Sequence, residues 1–128
     1  MTRVAAFDCG TNSLRLLVAD IDVESGTSED LVREMRVVRL GQGVDRTGRL
    51  AEAALQRVFA AVEEFMVLVR DHDVREIRFC ATSAARDAEN SEDFLIGIRE
   101  RTGVEPEVLD ALGEWWAAGP CVSPDEPA

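Results

Sequence analysis

The 128-residue sequence is 46% hydrophobic and 30% charged, a composition typical of one folded globular domain and not of a disordered chain. Its formal net charge of −11 excludes a general nucleic-acid-binding protein, because affinity for a phosphate backbone comes from clustered cations. No segment is apolar for long enough to cross a membrane, and Arg3 and Asp8 interrupt the first apolar run, so no signal peptide is expected. We therefore expect a cytoplasmic protein with no membrane partner.

The first two apolar runs, residues 3–9 and 14–22, flank a polar turn and predict a β-hairpin. The turn contains a glycine and three small hydrogen-bonding side chains: Gly10, Thr11, Asn12 and Ser13. Glycine lets the backbone turn tightly and lets a ligand approach it, and the other three residues offer the donors of a phosphate-binding turn. Asp8, at the end of the first strand, is a candidate ligand for Mg²⁺ beside that phosphate. The alternative is that Asp8 and Asn12 are ordinary turn-forming residues.

Beyond the hairpin, residues 29–40 carry apolar residues among charges and predict a third strand, with a helix over 29–36 as the alternative. The glycine-rich stretch 41–48 is predicted as a loop and is not a P-loop, since no Gly-Lys-Ser/Thr follows it. Apolar residues at three- and four-residue steps predict a helix over 51–70. His72, the only histidine, follows it and is expected at the surface.

The last predicted elements are a strand over 74–81, a helix over 92–101 capped by Asn90 or Ser91, and an edge strand over 104–109. Small hydroxyl residues and Arg86 follow the first of these strands, where they are placed to bind an anion. The order β-β-β-α-β-α-β predicts an α/β fold with a mixed sheet and flanking helices.

Three cysteines, Cys9, Cys80 and Cys121, have no metal-ligand spacing and cannot all pair. Because Cys9 and Cys80 lie inside apolar, strand-like runs, we expect both to behave as small buried hydrophobic residues.

Two separated motifs resemble one family. Ala-Phe-Asp-Cys-Gly-Thr-Asn-Ser-Leu-Arg-Leu at 6–16 and Ala-Thr-Ser-Ala-Ala-Arg-Asp-Ala-Glu-Asn at 81–90 strongly resemble the exopolyphosphatase / guanosine pentaphosphate phosphohydrolase (Ppx/GppA) family, over about residues 3–109. That family has the ribonuclease-H-like fold of the actin/Hsp70/sugar-kinase superfamily. The resemblance implies release of orthophosphate from polyphosphate or guanosine pentaphosphate, with Mg²⁺ held by Asp8. It also implies that the phosphate-binding residues are Gly10, Thr11, Asn12, Ser13, Arg15 and Arg86.

The resemblance weakens after residue 109, where the family has a Ser-Gly-x-Glu-Glu-Ala segment that carries the general base. By position Glu114 falls on that base, although its surroundings do not match. The family's second phosphate motif, Asp-x-Gly-Gly-Gly-Ser, is not found in the sequence. We therefore expect residues 1–109 to form an N-terminal subdomain and residues 110–128 to be an atypical tail, disordered or out of frame.

The sequence leaves two functions open. The first is a phosphoanhydride hydrolase that is weak or inactive as this 128-residue chain, and the second is a non-catalytic phosphate- or nucleotide-binding module. The second includes half of a split protein that docks a partner. A dimer or a separate second half is compatible with either function.

Overall fold

The strands form one five-stranded mixed sheet in the computed structural model, which describes residues 2–81, 85 and 88–108. They are β1 (Thr2–Cys9), β2 (Ser13–Asp22), β3 (Thr27–Val37), β4 (Glu76–Ala81) and β5 (Glu107–Val108). Their order is β3-β2-β1-β4-β5, with antiparallel pairs among the first three strands and parallel pairs from β1 to β4 and from β4 to β5. The predicted mixed sheet is confirmed. Of the strand predicted over 104–109, residues 104–106 are not part of a strand, Glu107–Val108 form β5 at the edge of the sheet, as Pro106 led us to expect, and residue 109 lies outside the described residues.

The strands are connected by helices, of which the structure describes α1 (Val44–Thr47), α2 (Glu52–Asp71) and α3 (Ser91–Thr102). The helices predicted over 51–70 and 92–101 are therefore confirmed to within one residue at each end. The loop predicted over 41–48 is wrong in part, because it contains the one-turn helix α1. Gly43 and Gly48 bound this turn with positive φ values of 78° and 70°, and the Gly48 N–H donates to the Val44 carbonyl at 2.7 Å.

The third strand runs over Thr27–Val37 and not over the predicted 29–40, and the helical alternative for 29–36 is wrong. It lies at the edge of the sheet, which explains why its charged side chains are exposed. The chain leaves the sheet at Val38 and Arg39, whose N–H groups both donate to the Asn12 carbonyl at 2.9 Å. Arg39 has a positive φ of 50°, which is incompatible with a continuing strand.

The core lies between one face of the sheet and helices α2 and α3. Alternate residues of β1 are buried on this face, as a strand of period two requires. Phe7 of β1 stacks on Phe79 of β4 with ring centroids 5.4 Å apart, and Phe79 meets Phe94 of α3 edge-on at 6.2 Å. Phe65 of α2 completes the cluster 6.5 Å from Phe7. This packing fixes the carboxyl end of β1, where the polar turn begins.

No helix in the described part of the chain is both long enough and apolar enough to cross a membrane.

Candidate functional site

The polar turn at residues 10–13 joins β1 to β2 and is closed by a hydrogen bond from the Gly10 N–H to the Ser13 carbonyl at 2.9 Å. Thr11 and Asn12, at its tip, are exposed. Among the residues that the structure describes, no backbone carbonyl accepts a hydrogen bond from the N–H of Thr11 or Asn12. A turn with exposed N–H groups, a hydroxyl and an amide offers several hydrogen-bond donors to an anion.

The conformation of the turn does not require a glycine at position 10. Its φ is not positive, and a Cβ built on it would lie 3.6 Å from the Ser13 carbonyl oxygen, an ordinary contact. The turn itself would therefore accept an alanine. Close approach of a ligand to the backbone is another purpose that a glycine can serve at such a position.

Asp8 and Arg15 are directly opposite each other in the register of β1 and β2, on the face of the sheet away from the helices. Asp8 is half-buried and Arg15 is exposed. Directly opposed residues of an antiparallel pair have their Cβ atoms about 4.5–5.5 Å apart. The hairpin thus brings an acidic and a basic side chain together within two residues of the turn.

Cys9, between Asp8 and the turn, is fully buried on the helix-covered face. Burial, with a smaller contribution from the Asp8 carboxylate, raises the pKa of the Cys9 thiol to about 12. A thiol that stays protonated is a poor nucleophile, so Cys9 is a packing residue beside the site. The expectation that Cys9 and Cys80 are buried is confirmed.

The turn rests on a second segment, residues 38–41, that sequence reasoning did not connect with it. In addition to the two N–H groups that hold the Asn12 carbonyl, the Gly41 N–H donates to the Thr11 carbonyl at 2.9 Å. A Cβ on Gly41 would lie only 2.3 Å from Thr11 Cγ2, so the glycine lets the two segments approach without displacing the Thr11 side chain. The only local signal was the glycine itself, within a stretch interpreted as a plain loop.

The carboxyl end of β4 lies beside that of β1, since Ala81 pairs with Cys9 in the parallel register. The predicted anion-binding segment that follows Ala81, including Arg86, lies outside the described residues. Asn90, which closes the motif, is described. Its side-chain amide accepts from the Leu50 N–H at 2.7 Å and donates to the Leu50 carbonyl at 3.0 Å.

This contact corrects the expected role of Asn90 as a helix cap. Asn90 does occupy the N-cap position of α3, but its side chain makes no capping hydrogen bond because the amide is engaged by Leu50. The Glu89 N–H adds a bond to the Gly48 carbonyl at 2.8 Å. One backbone hydrogen bond and two bonds of the Asn90 side chain therefore join residues 89–90 to the loop at residues 48–50.

The other candidate residues contribute nothing to the described site. His72 ends α2, is half-buried, and has Nδ1 2.7 Å from the Leu68 carbonyl oxygen, a local helix-end contact. Glu114 lies outside the described residues. Within residues 2–81, 85 and 88–108, no three His, Cys, Asp or Glu side chains are grouped to hold a metal ion.

Comparison with known proteins gives one consistent result. The model of the Ppx/GppA phosphatase family matches residues 17–114. Exopolyphosphatase 2 of Mycobacterium tuberculosis is 50% identical over 97 residues, which are 74% of this chain and 30% of that protein. Exopolyphosphatase 1 of Mycobacterium bovis is 31% identical over 129 residues, covering 91% of this chain and 37% of that protein.

The solved structures agree. The Ppx/GppA family member of Aquifex aeolicus superposes with a TM-score of 0.80 at 32% identity, over 88% of this chain and 36% of that one. An exopolyphosphatase of Cytophaga hutchinsonii superposes with a TM-score of 0.77 at 31% identity, over 85% and 34%. The predicted ribonuclease-H-like fold is thereby confirmed. The chain spans about a third of the length of the relatives that it matches.

Proposed function

Since the chain belongs to the Ppx/GppA phosphatase family, we propose that its hairpin turn binds the phosphate chain of polyphosphate or guanosine pentaphosphate. The reaction proposed for the whole protein is attack of water on a terminal phosphorus with release of orthophosphate. Because the chain spans about a third of its relatives' length, binding by these residues and turnover by the whole protein are two separate claims.

The observation that supports phosphate binding is the exposed turn itself. Thr11 and Asn12 offer N–H groups and polar side chains at the end of a strand that an aromatic cluster holds in place. Phosphoryl transfer depends mostly on positioning and on neutralising charge, so a rigid group of donors is what the chemistry requires. Within this proposal Gly10, Ser13 and Arg15 belong to the same phosphate site. Arg86 would add a contact to the phosphate chain.

Asp8 fits a magnesium site of the kind that the proposal needs. Mg²⁺ prefers oxygen ligands and is commonly held by one or two carboxylates, with water and substrate phosphates completing its coordination. A half-buried carboxylate two residues before the turn matches the protein's share of such a site. When bound, the ion would neutralise charge on the phosphate oxygens. Glu114 is proposed as the general base on the family's pattern alone.

A second candidate is a phosphate-binding module without catalysis, or half of a split protein. The observation that favours it is that the described residues carry phosphate donors, whereas the family's second phosphate motif, Asp-x-Gly-Gly-Gly-Ser, is not found in the sequence. This candidate predicts binding without turnover. A phosphate-release assay with polyphosphate, in which wild type is compared with Glu114→Gln, separates it from the hydrolase.

Calorimetric titration with tripolyphosphate and Mg²⁺ tests the proposal on the 128-residue chain. We expect Asn12→Ala to weaken binding by about tenfold, since one hydrogen bond to a charged group contributes about 1.5–3 kcal/mol. Ser25→Ala, in the exposed turn between β2 and β3, is the matched control and should bind as wild type does. Absence of heat from the wild-type protein with any phosphate ligand would overturn the proposal.

The extent of the domain and the location of the protein are also proposals. We propose that residues 1–109 form the ribonuclease-H-like subdomain, that residues 110–128 lie outside it, and that the protein is cytoplasmic. Sequencing the gene beyond codon 110 and reading all frames tests the boundary. A frame that continues with Ser-Gly-x-Glu-Glu-Ala would support it, and an unbroken tail would favour the binding module.

A further inference from the structure

We propose that Arg57, on α2, is a positioning residue that sets the shape of the phosphate-binding turn without touching the ligand. The inference rests on the proposed function, because it concerns how that same turn is held. Arg57 does not belong to either motif on which the family resemblance was based.

Arg57 donates two hydrogen bonds to carbonyls of the 38–41 segment and one to the neighbouring Gln42 side chain. Its Nε donates to the Val38 carbonyl at 2.7 Å. Its Nη2 donates to the Arg39 carbonyl at 3.3 Å and to Gln42 Oε1 at 2.7 Å. A guanidinium has its donors in a fixed fork, so it can hold two successive carbonyls and a side chain at once.

The peptide group between Val38 and Arg39 also holds the turn, from its other side. Val38 and Arg39 donate their N–H groups to the Asn12 carbonyl, each at 2.9 Å. The shortest path from Arg57 to the turn therefore consists of two hydrogen bonds on one peptide unit, whose Val38 carbonyl accepts from Arg57 and whose Arg39 N–H donates to Asn12. Asn12 is then fixed at its carbonyl, and the residue itself is exposed at the tip of the turn.

The backbone at this point would not be held in place by local preference. Arg39 has a positive φ of 50°, an uncommon conformation for a residue other than glycine, asparagine or aspartate. Contacts from outside the segment must therefore stabilise it. The Arg57 guanidinium supplies two of them, and burial of Val38 and Leu40 in the core anchors the segment on either side of Arg39.

The test compares Arg57→Gln, Arg57→Lys and a control, Arg70→Gln, which removes the same charge from the exposed last turn of α2. Tripolyphosphate affinity is measured by calorimetry with Mg²⁺ at several salt concentrations. Exchange of the Val38 and Arg39 amides is measured by NMR without ligand. Thermal unfolding shows that each variant is folded.

We expect Arg57→Gln to weaken binding by about tenfold, at the low end of the effect of removing residues that support a ligand-binding group. The two amides should exchange about tenfold faster, since local opening exposes them. Arg57→Lys, which keeps the charge but loses the fork, should resemble Arg57→Gln. The slope of log affinity against log salt should stay that of the wild type, because no phosphate contact is lost.

Each other outcome overturns a defined part of the account. Wild-type affinity of Arg57→Lys would show that a positive charge at this position is sufficient. A smaller salt dependence of affinity in Arg57→Gln would show that Arg57 contacts the ligand directly. If Arg70→Gln weakened binding as much as Arg57→Gln does, the loss would be due to the change in net charge. If the wild-type protein binds tripolyphosphate and Arg57→Gln binds it equally well, this inference is refuted and the proposed function is not. Absence of binding by wild type refutes the proposed function and this inference with it.

Discussion

Replacing Gly41 by alanine should disturb the phosphate-binding turn while leaving the domain folded. The new Cβ would lie 2.3 Å from Thr11 Cγ2, about 1.2 Å closer than an ordinary carbon–carbon contact of about 3.5 Å. The next atoms, the Thr11 carbonyl oxygen and Cβ, lie at 3.6 and 3.7 Å, which are tolerable contacts. One methyl group of an exposed side chain is therefore the whole obstacle.

Two responses would relieve the overlap. Rotation of the Thr11 side chain costs about 0.5–1.5 kcal/mol if it leaves a staggered conformation. Separation of the two segments lengthens the hydrogen bond from the Gly41 N–H to the Thr11 carbonyl, which contributes about 0.5–1.5 kcal/mol. We therefore expect Gly41→Ala to lower the free energy of unfolding by about 1 kcal/mol. Either response moves a donor of the proposed phosphate site. The free energy of tripolyphosphate binding should therefore weaken by more than the free energy of unfolding falls.

The assay pairs urea unfolding with calorimetric binding and includes a rescue. Thr11→Ser removes Cγ2 but keeps the hydroxyl, so the double variant Gly41→Ala/Thr11→Ser should regain wild-type stability and most of the affinity. Gly10→Ala is the contrast, because its Cβ fits the free turn. It should unfold at the wild-type urea concentration and still lose binding. The reasoning is refuted if Gly41→Ala binds normally, or if Thr11→Ser fails to rescue it.

Three further predictions concern the scaffold. Gly97→Ala places a Cβ 2.3 and 2.5 Å from ring atoms of Phe59, so it should lower Tm by a few degrees despite alanine's higher helix propensity; a raised Tm would contradict this close helix contact. Asn90→Ala removes both hydrogen bonds to Leu50 and should cost about 1–3 kcal/mol in urea unfolding, with no loss expected if the two loops are joined by other means. Cys9 should resist iodoacetamide at pH 8 until the protein unfolds. Modification of Cys9 in the native protein would contradict its burial. Because folding raises the pKa of Cys9 from 9.0 to about 12, the thiol of the unfolded chain loses its proton first. The contribution of this thiol to the free energy of unfolding should therefore fall as the pH rises from 9 to 12.

The parts of this fold that follow a repeating pattern were predictable from sequence. Period-two burial in β1 and the three- and four-residue spacing in α2 each define one apolar face, and these faces meet in the core. The predicted end of the third strand was displaced. The strand ends at Val37, because Val38 and Arg39 leave the sheet and donate to the Asn12 carbonyl. Nothing in the local sequence around Arg39 reports that contact.

The sequence predicted the polar residues of the turn but not the residues that support it. The turn at 10–13 and Asp8 stand out because small polar residues interrupt two apolar runs. The supporting contacts of Gly41, Arg57 and Asn90 join residues 15 to 40 positions apart in the chain, and tertiary packing decides them. Asn90 illustrates the limit, since its place before a helix predicted a cap and its amide instead binds another loop.

The most direct test of phosphate binding at the turn is an NMR titration of the ¹⁵N-labelled chain with tripolyphosphate and Mg²⁺. The account predicts that the largest amide shifts occur at residues 10–15, with smaller shifts at 38–41, which hold the turn. At a ligand concentration near the wild-type dissociation constant, the shifts should be much smaller in Asn12→Ala. Shifts that are absent from residues 10–15 in the wild type, or that are confined to another surface, would contradict the claim.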